Sequence, residues 1–286
     1  MVERIAAVVV TYESAAVLPG LLASLHAHEP GVRVVVVDNA SASGPPDVGA
    51  HAELVSLPDN RGYGAACNVG WHHVADAGAD IIAFLNPDVR VTGPSLTELA
   101  RAMTARPDVG VATGPVVDAD GRRVPSAWGD TSAARALWFA AEWEAPRTRA
   151  LLGRVRSGGV ATSGASVVAD ELDVDGHVVG GAMVVTAACI RELGGFDDGF
   201  FMFWEDADLC ARACAVAWRV ALLPCTPIVH VAGTSSAGVD DEQRWRWYLD
   251  GARRFASKHL SPARARRLEV ALGLGRRLRW MSPGRR

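Results

Sequence analysis

At 286 residues, 49% hydrophobic and 21% charged, the chain has enough apolar material for one large α/β domain, or two small ones, with a packed core. A formal net charge of −3 argues against a general nucleic-acid binder, and no uninterrupted apolar stretch reaches the ~20 residues that a membrane helix needs. Five cysteines at irregular spacing make no disulfide framework and point to a reducing cytoplasm.

Ile5 to Val10 is a continuous β-branched run, the mark of a strand buried on both faces of a parallel sheet. No signal peptide precedes it. Ser14 is a helix N-cap candidate, followed by Leu18, Leu21, Leu22 and Leu25 on one stripe. Strands are expected over Val32 to Val37, Glu53 to Leu57 and Ile81 to Leu85, with a helix over Ala65 to Ala77 between the last two. A helix from Pro94 to Ala105 carries proline in its first turn, and Val109 to Val117 reads as one further strand. Ser126 to Asp175 is rich in Ala, Gly, Ser and Arg, with Trp128, Trp138 and Trp143 spread through it; it reads as a helical excursion and a loop. Val178 to Val185 is a strand, Ala187 to Leu193 a short helix, and Phe200 to Ala217 runs from aromatic to acidic to helical. Val220 to Leu223 and Ile228 to His230 are late strands, and Arg244 onward is helical. Strands alternating with helices through short links predict an open, mostly parallel sheet flanked by helices, with a helical C-terminal tail.

Ligands of such sheets bind beyond the carboxyl ends of the strands. Three polar clusters fall there: Thr11-Tyr12-Glu13, Asp38-Asn39 and Asn86-Pro87-Asp88. One acid after one strand is commonly a turn-former, but three on one rim suggest a site. Asn60-Arg61-Gly62-Tyr63-Gly64 is a tight turn leading into a helix that carries Asn68. It resembles a dinucleotide glycine loop only superficially, because it does not follow the first strand. Asp88 could reach a divalent cation that holds a diphosphate, and oxygen ligands suit Mg²⁺ or Mn²⁺. Glu205, Asp206 and Asp208 sit at a helix start, where acids also serve simply to offset the dipole. The apolar approach Phe200 to Trp204 would dry such a carboxylate and raise its pKa, as a general base requires. His230 ends a strand at the same edge and could complete a metal shell. Cys210 and Cys214, one turn apart, read as a buried helix face, since no second pair accompanies them.

In this order the clusters resemble the family 2 inverting glycosyltransferases of the GT-A fold, and within them a bacterial rhamnosyltransferase branch. The resemblance rests on Val9-Val10-Thr11-Tyr12, Val37-Asp38-Asn39-Ala40-Ser41, Asn60 to Gly64 with Asn68, and Asn86-Pro87-Asp88-Val89. It continues through Val179 to Met183, Gly194-Gly195-Phe196-Asp197, Phe201 to Leu209 and His230, spanning roughly Ile5 to Ser236. It implies that Thr11, Tyr12, Glu13 and Asp38 hold a nucleoside, with Asn60, Arg61, Gly62, Gly64 and Asn68 nearby. Asp88 matches the second acid of the family's Asp-x-Asp motif; Asn86 replaces the first, which gives His230 more weight as a metal ligand. Gly180 and Gly181 would let backbone approach the donor sugar. Asp206 resembles the catalytic base, with Glu205 and Asp208 as the alternatives. Glu13 stands where the family commonly has Asn, and His177 near where it often has Trp.

The implied reaction uses a dTDP- or UDP-sugar, rhamnosyl by resemblance, and inverts the anomeric carbon. The acceptor would be a lipid-linked saccharide of cell-wall or polysaccharide assembly, or alternatively a soluble secondary-metabolite scaffold. A non-catalytic nucleotide-sugar or lipid-carrier binding protein is the rival reading. Residues 1–240 form the transferase unit, with 126–177 as an acceptor-side insertion and 241–286 as a basic extension. From Arg253 to Arg286 eleven basic residues face one acid, Glu269. Leu268, Ala271, Leu272, Leu278 and Met281 could share an apolar helix face with arginines opposite, a pattern suited to the inner, anionic membrane surface; packing of that face on the domain is the alternative.

Overall fold

A computed structural model of the chain describes residues 4–128, 172–231 and 239–281. The apolar runs form β1 (Ile5–Thr11), β2 (Arg33–Asp38), β3 (Glu53–Ser56) and β4 (Ile81–Leu85). β1 lies between β2 and β4, and β3 flanks β2, all parallel. Thr11 is level with Asp38, and Val9 with Leu85, so the chain leaves these strands at one rim. Alternate residues face opposite ways: Val8, Val35 and Phe84 join one core with Cys67, Trp71 and Leu209. Val9, Val36 and Leu85 join another with Leu18, Leu21 and Leu99. Both faces are covered, which is why these strands read as unbroken apolar runs.

The sheet continues through β12 (Ala182–Thr186), β6 (Val109–Thr113), β13 (Arg219–Leu222) and β10 (Leu172–Asp173). β12 runs antiparallel to both β4 and β6. Its direction has a functional consequence: the residues leading into it, Gly180 and Gly181, arrive at the rim where β1, β2 and β4 end. A second sheet holds β5 (Val89–Val91), β7 (Val116–Val117), β8 (Arg123–Val124) and β14 (Ile228–His230), ordered β5-β14-β7-β8. β9 (Ala127–Trp128) pairs with β11 (His177–Val178) in a short ribbon, with the fully buried His177 opposite Trp128.

Several expectations change. Val109 to Val117 is two strands in two sheets, because Gly114-Pro115 turns the chain between β6 and β7. Val178 to Val185 is likewise split, with Val179 to Gly181 crossing from β11 to β12. Ser14 does not cap the Leu18–His28 helix, whose N-cap is Val17 with proline in the first turn. Its hydroxyl instead donates to the Tyr12 carbonyl at 2.9 Å, and its own carbonyl accepts from Val17 and Leu18. The next helix starts at Tyr63. The helical excursion expected after Ser126, with Trp138 and Trp143, lies outside the described residues.

The C-terminal helices Asp241–His259 and Pro262–Met281 share a third core. In it Trp245, Tyr248, Phe255, Leu268 and Leu272 close on Phe200, Trp204 and Ala207. Leu268, Ala271 and Leu272, the stripe that could have faced a membrane, are only 1%, 3% and 2% exposed. The side chains of Leu278 and Met281 lie outside those described. Among the described residues no helix is long and apolar enough to cross a membrane.

Candidate functional site

One half of the rim is an interlocked polar loop cluster. Asp38, almost fully buried, accepts from the Ser41 hydroxyl at 2.6 Å and from the Thr11 hydroxyl at 3.4 Å. Asn39 joins two loops: its amide donates to Asn60 Oδ1 at 2.9 Å and the Gly62 carbonyl at 3.2 Å, and its oxygen accepts from the Arg61 N–H at 3.0 Å. Glu13, in left-handed backbone at φ 52°, accepts the N–H groups of Ala42 and Ser43. The Ser43 side chain and those amides hold the Glu13 carboxyl below its usual range. Glu13 therefore fixes the loop after β2, as a carboxylate rather than through the amide donors that Asn would bring.

Gly62, at φ 84°, lies against the Phe201 carbonyl, which accepts from Tyr63 N–H at 2.8 Å. A Cβ there would collide with that backbone, so Gly62 is required twice over. Tyr63 then reaches across, its hydroxyl donating to the Gly180 carbonyl at 3.3 Å. Burial pushes this phenol far above its ordinary range, reinforced by Cys67 and Glu205 nearby, so Tyr63 stays a neutral donor.

The other half is built around Asn86-Pro87-Asp88. Pairing of β14 with β5 sets His230 opposite Val89, which brings His230 Nε2 to 3.2 Å from Oδ1 of the fully buried Asp88. Arg90 braces the turn from below, donating to the Pro87, Val89 and Val17 carbonyls. Asn86 N–H donates to the Gly181 carbonyl at 3.0 Å. A Cβ on Gly181 would stand 3.2 Å from His230 Cε1 and 3.5 Å from Asn86 Nδ2, so a side chain here would crowd the imidazole. On the other side of the pair, Gly180 N–H donates to Asp206 Oδ2 at 3.1 Å. Asp206 Oδ1 accepts from Ala207 N–H at 2.7 Å.

Asp206 owes its place to an unusual turn. Phe203 and Trp204 both adopt left-handed backbone, at φ 70° and 71°, immediately before the Glu205–Ala215 helix. Each costs about 1–3 kcal/mol, so surrounding packing must impose the turn. Glu205 is buried beside Gly64. Asp208, fully buried, is held by Arg212 Nε at 2.7 Å, Lys258 Nζ at 2.5 Å and His259 Nε2 at 2.7 Å. Asn68 also serves the scaffold, donating to the Phe196 carbonyl and Asp198 and accepting from Phe196 N–H.

Could the Asp88 cluster hold a cation? A buried carboxylate, an imidazole and a neighbouring amide are oxygen and nitrogen donors that suit Mg²⁺ or Mn²⁺. Among the described residues no group of three His, Cys, Asp or Glu gathers to hold a metal. A cation here would take further ligands from a diphosphate, the common arrangement for Mg²⁺. The residues fit that role.

Residues 81–282 match the family described as glycosyl transferase family group 2. The chain belongs to this family. A relative from Mycobacterium tuberculosis, named N-acetylglucosaminyl-diphospho-decaprenol L-rhamnosyltransferase, is 29% identical over 253 residues, covering 80% of this chain and 76% of its own. The mannosyltransferase PcManGT from Pyrobaculum calidifontis, in complex with GDP-Man and Mn²⁺, shares the fold at TM-score 0.54 and 17% identity, over 96% of this chain and 73% of that one. GalNAc-T7 with UDP, GalNAc and Mn²⁺ does so at 0.57 and 12% identity, over 99% and 58%. The fold is the expected GT-A architecture.

Within this glycosyltransferase, the structure gathers Thr11, Asp38, Asn60, Arg61 and Gly62 on one side, and Asn86, Asp88, Gly181, His230 and Asp206 on the other. Tyr63 joins the halves. Sequence reasoning placed the glycine turn and the Asp38-Asn39 cluster but gave no separate role to Tyr63 or Arg90. A tyrosine between two glycines at a turn was the available signal for the first; the brace made by Arg90 had none.

Proposed function

We propose that this glycosyltransferase moves a hexosyl group, rhamnosyl by the kinship above, from a dTDP- or UDP-sugar to a hydroxyl of a diphosphate-linked, lipid-borne saccharide in cell-wall or polysaccharide assembly. One observation carries the reading. Gly180 and Gly181, with Cα atoms about 3.8 Å apart, touch Asp206 on one side and Asn86 and His230 on the other. A proton acceptor and a diphosphate-side cluster thus flank a strip of backbone with no side chain of its own.

In this reading Thr11, Tyr12, Asp38 and the Asn60 to Gly64 turn bind the nucleoside. Asp88 and His230, with Asn86 beside them, would hold a divalent cation at the diphosphate. When bound, that cation neutralises negative charge on the departing group. Asp206 takes the proton of the acceptor hydroxyl as its oxygen attacks the anomeric carbon opposite the nucleotide, inverting the configuration. The backbone N–H of Gly180 keeps the Asp206 carboxylate aimed. Glu205, behind it against Gly64, shapes the pocket. Asp208, held by Arg212, Lys258 and His259, is the weakest of the three acids as a base.

A lipid-borne acceptor also suits the surface. Arg264, Arg266 and Arg267 are exposed, and Val270 and Leu274 are 58% and 48% exposed. Helical spacing puts Arg266, Arg267, Val270 and Leu274 on the face away from the buried stripe. Each arginine near an anionic bilayer contributes about 1 kcal/mol. The test of the whole reading is a thermal-shift panel of dTDP- and UDP-sugars, with and without Mn²⁺, followed by product analysis. Absence of stabilisation by any of them would overturn it.

A further inference from the structure

The segment from Asp197 to Asp208 carries the aromatic wall, the left-handed pair Phe203-Trp204 and Asp206, and both of its ends are tied to one side chain. Lys258 Nζ lies 2.5 Å from Asp197 Oδ2 and 2.5 Å from Asp208 Oδ1. Neighbouring side chains of the same helix strengthen both ties. Arg254 donates to both oxygens of Asp197, at 2.8 and 3.0 Å, and His259 Nε2 stands 2.7 Å from Asp208. Higher on that helix, Gly251 lets it press on the turn: a Cβ there would stand 2.7 Å from the Phe203 carbonyl oxygen and 3.1 Å from the Trp204 ring. Trp204, the N-cap of the helix it starts, makes no side-chain cap hydrogen bond.

We infer that Lys258 is a positioning residue for the transfer step: by bridging Asp197 and Asp208 it clamps the segment between them, and so sets the Asp206 carboxylate against Gly180. The inference rests on Asp206 being the base. It makes the C-terminal helix a working part of the site, reaching the reacting carboxylate through Asp208, two residues away on the first turn. Lys258 itself touches neither sugar nor nucleotide in this account.

The test compares Lys258→Met, Lys258→Arg and Asp197→Asn with Asp206→Asn in the full chain. Turnover is assayed with dTDP-rhamnose and a synthetic lipid-diphosphate N-acetylglucosamine, and amide hydrogen exchange is followed in parallel. Lys258→Met should lower kcat about tenfold to a hundredfold with donor KM within about twofold. It should also speed exchange across residues 200–208 while leaving β1 and β4 unchanged. Lys258→Arg should recover most of the loss. Asp197→Asn, which removes one tie at a partly exposed carboxylate, gives the same pattern more weakly and serves if Lys258→Met does not fold. A purely structural lysine would lower the melting temperature and leave kcat per folded molecule untouched. That result, or unchanged exchange across 200–208, overturns the inference. If Asp206→Asn keeps full turnover, the base assignment fails instead; if it is inactive while Lys258→Met turns over normally, only the clamp is wrong.

Discussion

Gly180 and Asp206 are 26 residues apart in sequence and joined by one hydrogen bond, from the Gly180 N–H to Oδ2 at 3.1 Å. The bond holds the carboxylate through backbone alone, with no side chain from the glycine. Removing the charge while keeping the shape isolates the chemistry. Asp206→Asn should lower kcat by about 10²–10⁴-fold, the usual range for a general base, and leave nucleotide-sugar affinity within about twofold. Steady-state rates and thermal shifts with the donor check this together. Glu205→Gln should cost less in kcat.

The glycine next to it makes a steric prediction. Gly181→Ala puts a methyl 3.2 Å from His230 Cε1, tighter than carbon atoms usually pack. The imidazole must give by a few tenths of an ångström, which disturbs its approach to Asp88. Activity should fall, and the Mn²⁺ concentration needed for half-maximal rate should rise. His230→Ala should raise that requirement by about tenfold or more, by analogy with losses at metal-supporting residues. A metal titration after chelation measures both. If chelators leave the rate of wild-type protein unchanged, the cation reading is wrong.

How much of this was visible in the sequence depends on where the partners lie. β1, β2 and β4 were legible because burial on both faces leaves an unbroken β-branched run. β5 was not: Val89-Arg90-Val91 is short, polar in its middle, and pairs with a strand about 140 residues later. The Gly114-Pro115 break was visible as a dipeptide, but which sheet each half joins is a tertiary choice. The rim acids were legible because strand ends announce themselves. Asp208 and Asn68 share one feature. They sit inside motifs that line the site, yet their side chains point to partners such as His259 and Phe196 that no local pattern reveals.

The ion cluster makes a prediction about acid stability. Burial alone would raise the carboxyls of Asp197 and Asp208. Arg254 and Lys258 outweigh it at Asp197, and His259, Lys258 and Arg212 at Asp208, so both are held below the ordinary range. A carboxyl whose folded value lies below its unfolded value of about 3.9 stabilises the fold fully above that pH, and loses the contribution as pH falls through the folded value. The urea midpoint should therefore drop progressively as pH falls below about 5 and onward through the depressed folded values. Asp208→Asn should be less stable at pH 7 and flatter over the acid range. An equally steep decline in the variant would mean that other carboxylates carry the effect.

The tail offers a test of which helix face does what. Leu272 is 2% exposed and packs in the core that holds Trp204, Tyr248 and Phe255. Leu272→Ala should destabilise the protein by about 2–5 kcal/mol, the range for a buried leucine truncated to alanine, and should lower the unfolding midpoint accordingly. Arg266→Glu with Arg267→Glu sits on the opposite, exposed face and should change stability by no more than about 0.5 kcal/mol. It should instead weaken sedimentation with vesicles containing anionic lipid, and only there, since vesicles of neutral lipid offer the arginines no charge to meet. The reverse pattern, with Leu272→Ala releasing the protein from vesicles at unchanged stability, would put the buried stripe back at the membrane and unseat the packing that holds the Phe203-Trp204 turn.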